Sequence, residues 1–277
     1  MTKEKQKLAY CPIYKAGSTS WAITLSDIGG HPYRDLRKTQ GHTKVIAKIF
    51  PYMSMRDGLS VIRSLTSFVI VRHPLERFLS AYRDKFEGAS KDYYYLRYGE
   101  NMVRYYRNFP TNITTKQLAK YREEVKAKVI ANQPLVGMPG NPYAEPPGPT
   151  FPEFVKYILY RRFADDHWRT YNEHCSPCAM KYKFIIRFEN MDEEGKLFLH
   201  YLDRTASVNA TIWANPTKGG STSKDIKCFY YKKLSYGTIQ QIVTRYKTDL
   251  ELFEYDPKEY LHCANDYNKF YNGSVLQ

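Results

Sequence analysis

Two runs of this chain bring cationic and hydroxyl side chains to places where a strand gives way to a helix. The first is Tyr14-Lys15-Ala16-Gly17-Ser18-Thr19-Ser20-Trp21. The second is Arg72-His73-Pro74-Leu75-Glu76-Arg77-Phe78-Leu79-Ser80. A lysine is a compact positive charge, and an arginine is a planar fork that matches phosphate oxygens. A helix start adds unsatisfied amides and the positive end of the dipole. Such groups hold phosphate-type anions, so two of them point to a ligand with two separate anionic groups. A third residue, His42, falls between the runs in Gln40-Gly41-His42-Thr43. Histidine is the side chain whose ordinary pKa suits proton transfer near neutral pH.

The flanking residues say what must position these groups. Leu8 to Tyr14 is a short apolar run with β-formers, and it reads as a buried strand. Pro12 places that strand near an edge or at an irregular start. Gly17 permits a tight turn and a close approach to a ligand. Ser18, Thr19 and Ser20 can cap the next helix, whose apolar face is Trp21, Leu25 and Ile28, and Gly29-Gly30 ends it. Phe68 to Val71 reads as a central strand with Arg72 at its carboxyl end. Pro74 suits a first helical turn. Leu75, Phe78, Leu79, Tyr82 and Phe86 recur at three- and four-residue steps, so that face packs inward. The pattern does not require Arg72 and Ser80 to be buried. It assigns Glu76, Arg77, Arg83, Asp84 and Lys85 to a solvated face with local ion pairs. Together the units read as α/β, a central parallel sheet flanked by helices.

The first loop resembles the 5′-phosphosulfate loop of sulfotransferases, and Arg72 to Ser80 resembles their 3′-phosphate segment. The likeness is to Golgi carbohydrate sulfotransferases of the chondroitin/dermatan type, with similarity to the glycosaminoglycan 2-O-sulfotransferases. Ser80 to Phe86, Arg97-Tyr98-Gly99, Asp166-His167-Trp168, Cys175-Ser176-Pro177-Cys178, Tyr182 to Met191 and Tyr246 to Tyr255 continue it in the family's order. The resemblance implies a P-loop-NTPase-like sulfotransferase fold. It also implies 3′-phosphoadenosine 5′-phosphosulfate (PAPS) as donor, no metal, and an anionic glycan acceptor. Lys15, Ala16, Gly17, Ser18, Thr19 and Ser20 are then expected to hold the 5′ end, with Lys15 at the leaving oxygen. Arg72 and Ser80 are expected on the 3′-phosphate and His42 as the base, with His31 in reserve. Trp168 is expected to pack.

Composition agrees. A balance of 42 − 28 = +14 favours polyanionic partners. No RNA-binding signature or zinc-finger spacing supports nucleic acid. Residues 1–277 read as a single catalytic domain. Within it, 89–152 is an insertion ending in a proline-rich loop or mobile flap near the acceptor. Phe151 to Phe163, Asp192 to Leu202 and Ser235 to Phe253 read as helices, and 203–228 as a polar loop over the nucleotide. Of the five cysteines, Cys11 reads as a buried free thiol. Cys175 and Cys178 pair with each other or with Cys228 and Cys263. The sequons at Asn112, Asn209 and Asn272 fit a secretory route. No run of eighteen apolar residues is present. A Golgi luminal place is thus expected by resemblance, through a membrane anchor this chain does not carry. Two other readings stand beside this one. A nucleotide kinase or NTPase needs Gly-x-x-x-x-Gly-Lys-Ser/Thr, which is absent. A non-catalytic basic glycan-binding module needs only the charge.

Overall fold

The computed structural model describes residues 8–28, 54–87, 92–133, 140–161, 165–202 and 224–269, with positions 38, 47, 135 and 138 between them. In chain order the elements are β1 (Leu8–Cys11), α1 (Ser18–Ile28), α2 (Met55–Val61), β2 (Thr66–Val71), α3 (Pro74–Lys85), α4 (Glu100–Tyr106), α5 (Thr115–Ile130), α6 (Phe151–Arg161), α7 (Tyr171–Cys175), α8 (Pro177–Met180), β3 (Phe184–Arg187), α9 (Met191–Tyr201), α10 (Lys224–Tyr231), α11 (Tyr236–Arg245), α12 (Lys247–Leu252) and α13 (Lys258–Leu261). They group into two compact units, one of residues 1–73 with 169–216, the other of 74–168 with 217–277.

The first unit holds the sheet, in the order β1-β2-β3 with both pairings parallel. Tyr10 faces Phe68 across one pairing and Phe184 faces Phe68 across the other. β2 is central, as its unbroken apolar run requires, and Phe68 to Val71 are buried. β1 is an edge strand of the described sheet, which accommodates Pro12 just past its end. Phe68 is the hub of the packing. Its ring stacks on Tyr10 at 4.6 Å, meets Trp21 of α1 at 5.3 Å and Phe198 of α9 at 4.5 Å. Phe184 adds an edge contact to Phe198 at 5.1 Å.

The second unit is helical. The face of α3 read from the sequence, Leu75, Phe78, Leu79, Tyr82 and Phe86, is buried against Phe151, Phe154 and Ile158 of α6 and Ile239 and Ile242 of α11. Trp168 is fully buried in this core. The expected helix over Ser235 to Phe253 is two helices, broken at Tyr246. The Tyr246 ring is buried and its hydroxyl donates to the Trp168 carbonyl, so a tertiary bond sets the break. The proline-rich stretch is a loop, as expected, but its described part is tied down. Arg107 donates to both carboxylate oxygens of Glu153 at 2.9 Å and to the carbonyls of Pro142, Pro146 and Gly148. A buried guanidinium with this many acceptors replaces the backbone ladder that proline forbids. The polar loop expected over 203–228 lies outside the described residues as far as 223, and α10 begins at Lys224.

The cysteine reading is corrected. Cys11 is not a free thiol: it is bonded to Cys175, 164 positions away. Cys228 pairs with Cys263, and the exposed Cys178 is the free cysteine. The sequence reading left Cys175 and Cys178 to pair with each other or with Cys228 and Cys263, and neither choice includes Cys11. The fold instead lays α7 beside the end of β1, with Cα atoms of Cys11 and Cys175 6.0 Å apart. Among the described residues no helix is long and apolar enough to cross a membrane.

The packing around Phe68 makes a stability prediction. Phe68→Ala removes a ring that touches three others and should cost about 3–5 kcal/mol. Urea denaturation measures it, and a loss below about 1 kcal/mol would contradict the central place of Phe68.

Candidate functional site

The carboxyl ends of the three strands meet in one place in the first unit, the position where parallel α/β sheets hold ligands. After β1 the chain turns at Ile13–Ala16, closed by the Ala16 amide on the Ile13 carbonyl at 3.2 Å. Lys15 occupies this turn with φ +69°, a left-handed conformation that costs a non-glycine residue about 1 kcal/mol or more. Gly17 follows at φ +77°. A Cβ there would also lie 3.0 Å from the sulfur of Met191, so both conformation and space require glycine. Ala16 is fully buried beneath the turn. The first bond of the α1 ladder runs from the Trp21 amide to the Gly17 carbonyl. The amides of Ser18, Thr19 and Ser20 thus precede the ladder, at the positive end of an eleven-residue helix. Ser18 and Thr19 are half-buried and Ser20 is buried.

β2 ends at Val71, and Arg72 follows it. The sequence pattern does not require burial of Arg72, and the structure shows it only 5% exposed. Its guanidinium lies 4.4 Å from the Phe188 ring centroid, a cation–π contact, and its Nη1 donates to the Lys15 carbonyl at 3.0 Å. This bond joins the two strand-to-helix turns. The Arg72 amide donates to the Tyr171 hydroxyl at 3.0 Å, and that hydroxyl donates to the Arg72 carbonyl at 2.6 Å. The His73 amide donates to Glu189 at 2.7 Å. His73 is therefore held by its backbone and buried.

One short helix secures both turns. α7 carries Tyr171 against Arg72 and Cys175 in the bridge to Cys11. Between them His174 lies with Nε2 3.1 Å from the Pro12 carbonyl. A Thr170 capping box with Glu173 fixes the start of the helix, so its five residues are well determined. Ligand atoms of Cys11, His174 and Cys175 lie within 4.8 Å of one another, a spacing that would suit a metal. The two sulfurs are bonded to each other, however, and a disulfide is not a thiolate ligand.

Ser80 lies in the second unit, within α3, and is buried rather than outward-facing. Its Oγ has no hydrogen-bond partner among the described residues. A buried hydroxyl in that state costs stability unless a ligand satisfies it, so it suits an anion acceptor. Arg77, assigned by periodicity to a solvated face, is 1% exposed and donates to the Asp166 carbonyl at 2.8 Å. Its role there is structural. His42 and His31 lie outside the described residues. The structure thus brings Lys15, Ala16, Gly17, Ser18, Thr19, Ser20 and Arg72 together. Sequence reasoning missed Tyr171, Phe188 as a ring under Arg72, and the Cys11–Cys175 bridge. Phe188 and Glu189 stand in a run quoted for the resemblance, but nothing local marked Tyr171.

A family model described as "Sulfotransferase family" matches residues 1–256. The chain is 25% identical over 259 residues to carbohydrate sulfotransferase 8 of Mus musculus, covering 91% of this chain and 55% of that protein. It is 24% identical over 267 residues to carbohydrate sulfotransferase 11 of Rattus norvegicus, covering 93% and 67%. It is 25% identical over 279 residues to carbohydrate sulfotransferase 12 of Mus musculus, covering 93% and 60%. The chain therefore spans little more than half the length of the first of these relatives. No solved structure gives a significant match. With the match running through both strand-to-helix turns and through both units, the chain belongs to the sulfotransferase family.

Proposed function

We propose that the chain transfers a sulfuryl group from PAPS to a hydroxyl of a glycan, a glycosaminoglycan such as chondroitin or dermatan. The observation that carries this is the bond between Arg72 and the Lys15 turn, which unites two anion-holding turns at the carboxyl end of one parallel sheet. The names of the relatives support a carbohydrate acceptor. The kinase alternative lacks its phosphate-loop motif, and a binding module alone leaves the strained Lys15 turn without a purpose. Both units belong to one catalytic domain in this reading, since the family match crosses both.

The donor supplies a sulfuryl group on a phosphate leaving oxygen, and its transfer resembles phosphoryl transfer in needing position and charge rather than covalent help from protein. Lys15 places its ammonium for the charge that grows on that oxygen. The amides and hydroxyls of Gly17, Ser18, Thr19 and Ser20, with Ala16 shaping the turn, hold the 5′-phosphate. Arg72 and the Ser80 hydroxyl hold the 3′-phosphate, with Arg72 fixed from behind by Tyr171 and Phe188. His42 takes the proton of the acceptor hydroxyl. No metal is required by these roles. Two disulfides support an oxidising compartment, in line with a Golgi luminal place.

Lys15→Ala should lower sulfate transfer about 10²- to 10³-fold, the range for loss of one charge-stabilising group. Arg72→Ala should weaken adenosine 3′,5′-bisphosphate in calorimetric titration. Full activity with labelled donor in both folded variants would refute the site. His42→Ala should lower kcat about 10²- to 10⁴-fold while bisphosphate affinity is kept, and an unchanged kcat would remove it as base. Tyr171→Phe strips the buried Arg72 backbone of both bonds, so bisphosphate affinity should fall about tenfold, near 1.4 kcal/mol. Affinity equal to that of the parent chain would separate Tyr171 from the site.

A further inference from the structure

A second cluster of chemistry-bearing side chains lies in the second unit, away from the two turns in sequence. Asp165 is its centre. Its Oδ1 lies 2.7 Å from His167 Nδ1 and accepts the His167 amide at 3.0 Å. Its Oδ2 accepts the Tyr98 hydroxyl at 3.3 Å. Burial alone would raise the Asp165 pKa, but the hydrogen bonds from His167 and Tyr98 prevail and hold the carboxyl below its ordinary range. The ionised carboxylate therefore accepts a hydrogen bond from the Nδ1–H of His167. Tyr94 lies 3.0 Å from that same nitrogen. Burial pushes the Tyr94 phenol up, so it keeps its own proton, and its oxygen meets the Nδ1–H as an acceptor.

Arg97 forms the outer edge. Its Nε donates to the Tyr98 hydroxyl at 2.8 Å, and its guanidinium lies 5.2 Å from the Tyr98 ring centroid and 5.9 Å from that of Tyr93. Arg97 is exposed, and among the described residues no carboxylate forms an ion pair with it. Tyr93 beside it is 57% exposed. An exposed guanidinium with no carboxylate in direct ion-pair contact, the Asp165 carboxylate acting on it only from behind Tyr98, stands next to a ring more than half exposed, and this is the pairing that receives an acidic sugar. The fork binds a carboxylate or sulfate ester in bidentate fashion, and the flat ring packs on the C–H face of the pyranose.

We propose that Tyr93 and Arg97, braced through Tyr98 and Asp165, form a binding site for an acidic residue of a glycan chain. Resting on the proposed function, this places one contact of the acceptor and makes that acceptor a uronate-bearing or sulfated polymer. The overall charge of +14 draws such a chain in, and the rigid Arg97–Tyr93 pair gives it a fixed contact.

The test is calorimetric titration of the full chain with an unsulfated chondroitin octasaccharide, whose only charges are carboxylates, and with its sulfated counterpart. Arg97→Gln should weaken binding at least tenfold and Tyr93→Ala at least fivefold. Both side chains are exposed, so the melting temperature should hold. Lys258→Gln, an exposed charge removed elsewhere, should leave the affinity within twofold. Adenosine 3′,5′-bisphosphate should bind all of them equally. Loss only with the sulfated octasaccharide would assign the fork to a sulfate ester, and loss with both to the uronate. The proposal is overturned by an Arg97→Gln affinity equal to that of the parent chain, by no octasaccharide binding at all, or by equal binding of a neutral oligosaccharide or a single-stranded oligonucleotide. The readout needs no sulfate transfer. Octasaccharide binding that depends on Arg97 in a chain without transferase activity would keep this site and refute the catalytic reading.

Discussion

The hydroxyl of Tyr171 on both backbone groups of Arg72 is the contact on which the anion-holding end of the sheet depends. Arg72 stands one residue beyond the last strand pairing, so its N–H and C=O have left the ladder while staying buried. A buried backbone pair without partners would cost about 1–3 kcal/mol per group. A single phenol satisfies both, because a hydroxyl accepts and donates at once. With the backbone fixed, the guanidinium can reach the Lys15 carbonyl and rest on Phe188. The Lys15 turn, held by Arg72 on one side and by Gly17 packed under Met191 on the other, keeps a conformation that lysine rarely adopts alone.

The second unit solves a different problem by related means. Its helices bury a large aromatic core, and polar side chains fix the places where regular structure stops. Arg107 collects carbonyls from a proline-rich segment that cannot form a ladder, and Tyr246 ends one helix by bonding to the Trp168 carbonyl. In both units, side chains distant in sequence satisfy backbone groups left over at element ends. Tyrosine suits this task, as Tyr171, Tyr231 and Tyr246 show. A phenol combines an apolar ring for the core with one polar tip for a stray amide or carbonyl.

Local signals were readable in the sequence, and non-local ones were not. The strand ending at Val71, the inward face of α3 and the glycine at position 17 each announce themselves within a dozen residues, by periodicity or by conformational need. Periodicity puts Arg77 on a solvated face and leaves the burial of Arg72 and Ser80 undecided, because it knows only the helix or strand they sit on. Their burial comes from Phe188, from the Asp166 carbonyl and from the core around α3, far away along the chain. The cysteines misled for the same reason. Cys11, inside an apolar strand, reads locally as a buried free thiol, whereas the bridge was decided by where α7 packs beside β1. Tyr171 has no local signature, being one tyrosine among 26.

The position of Cys11 in the order of cysteines bears on how the protein is made. A ribosome that has delivered β1 and the Lys15 turn reaches α7 and β3 only after more than 150 further residues. At 5–20 residues per second that delay is roughly ten to thirty seconds, during which Cys11 waits as a thiol. No other cysteine emerges in that interval, because the next one along the chain is Cys175 itself. Between Cys11 and its native partner the chain offers no competing thiol, and Cys178 follows Cys175 by only three residues. The cysteine-free stretch thus keeps wrong partners away from Cys11 while the chain between is made, and the choice of Cys175 over Cys178, which emerge within about a second of each other, falls to the docking of α7 beside β1.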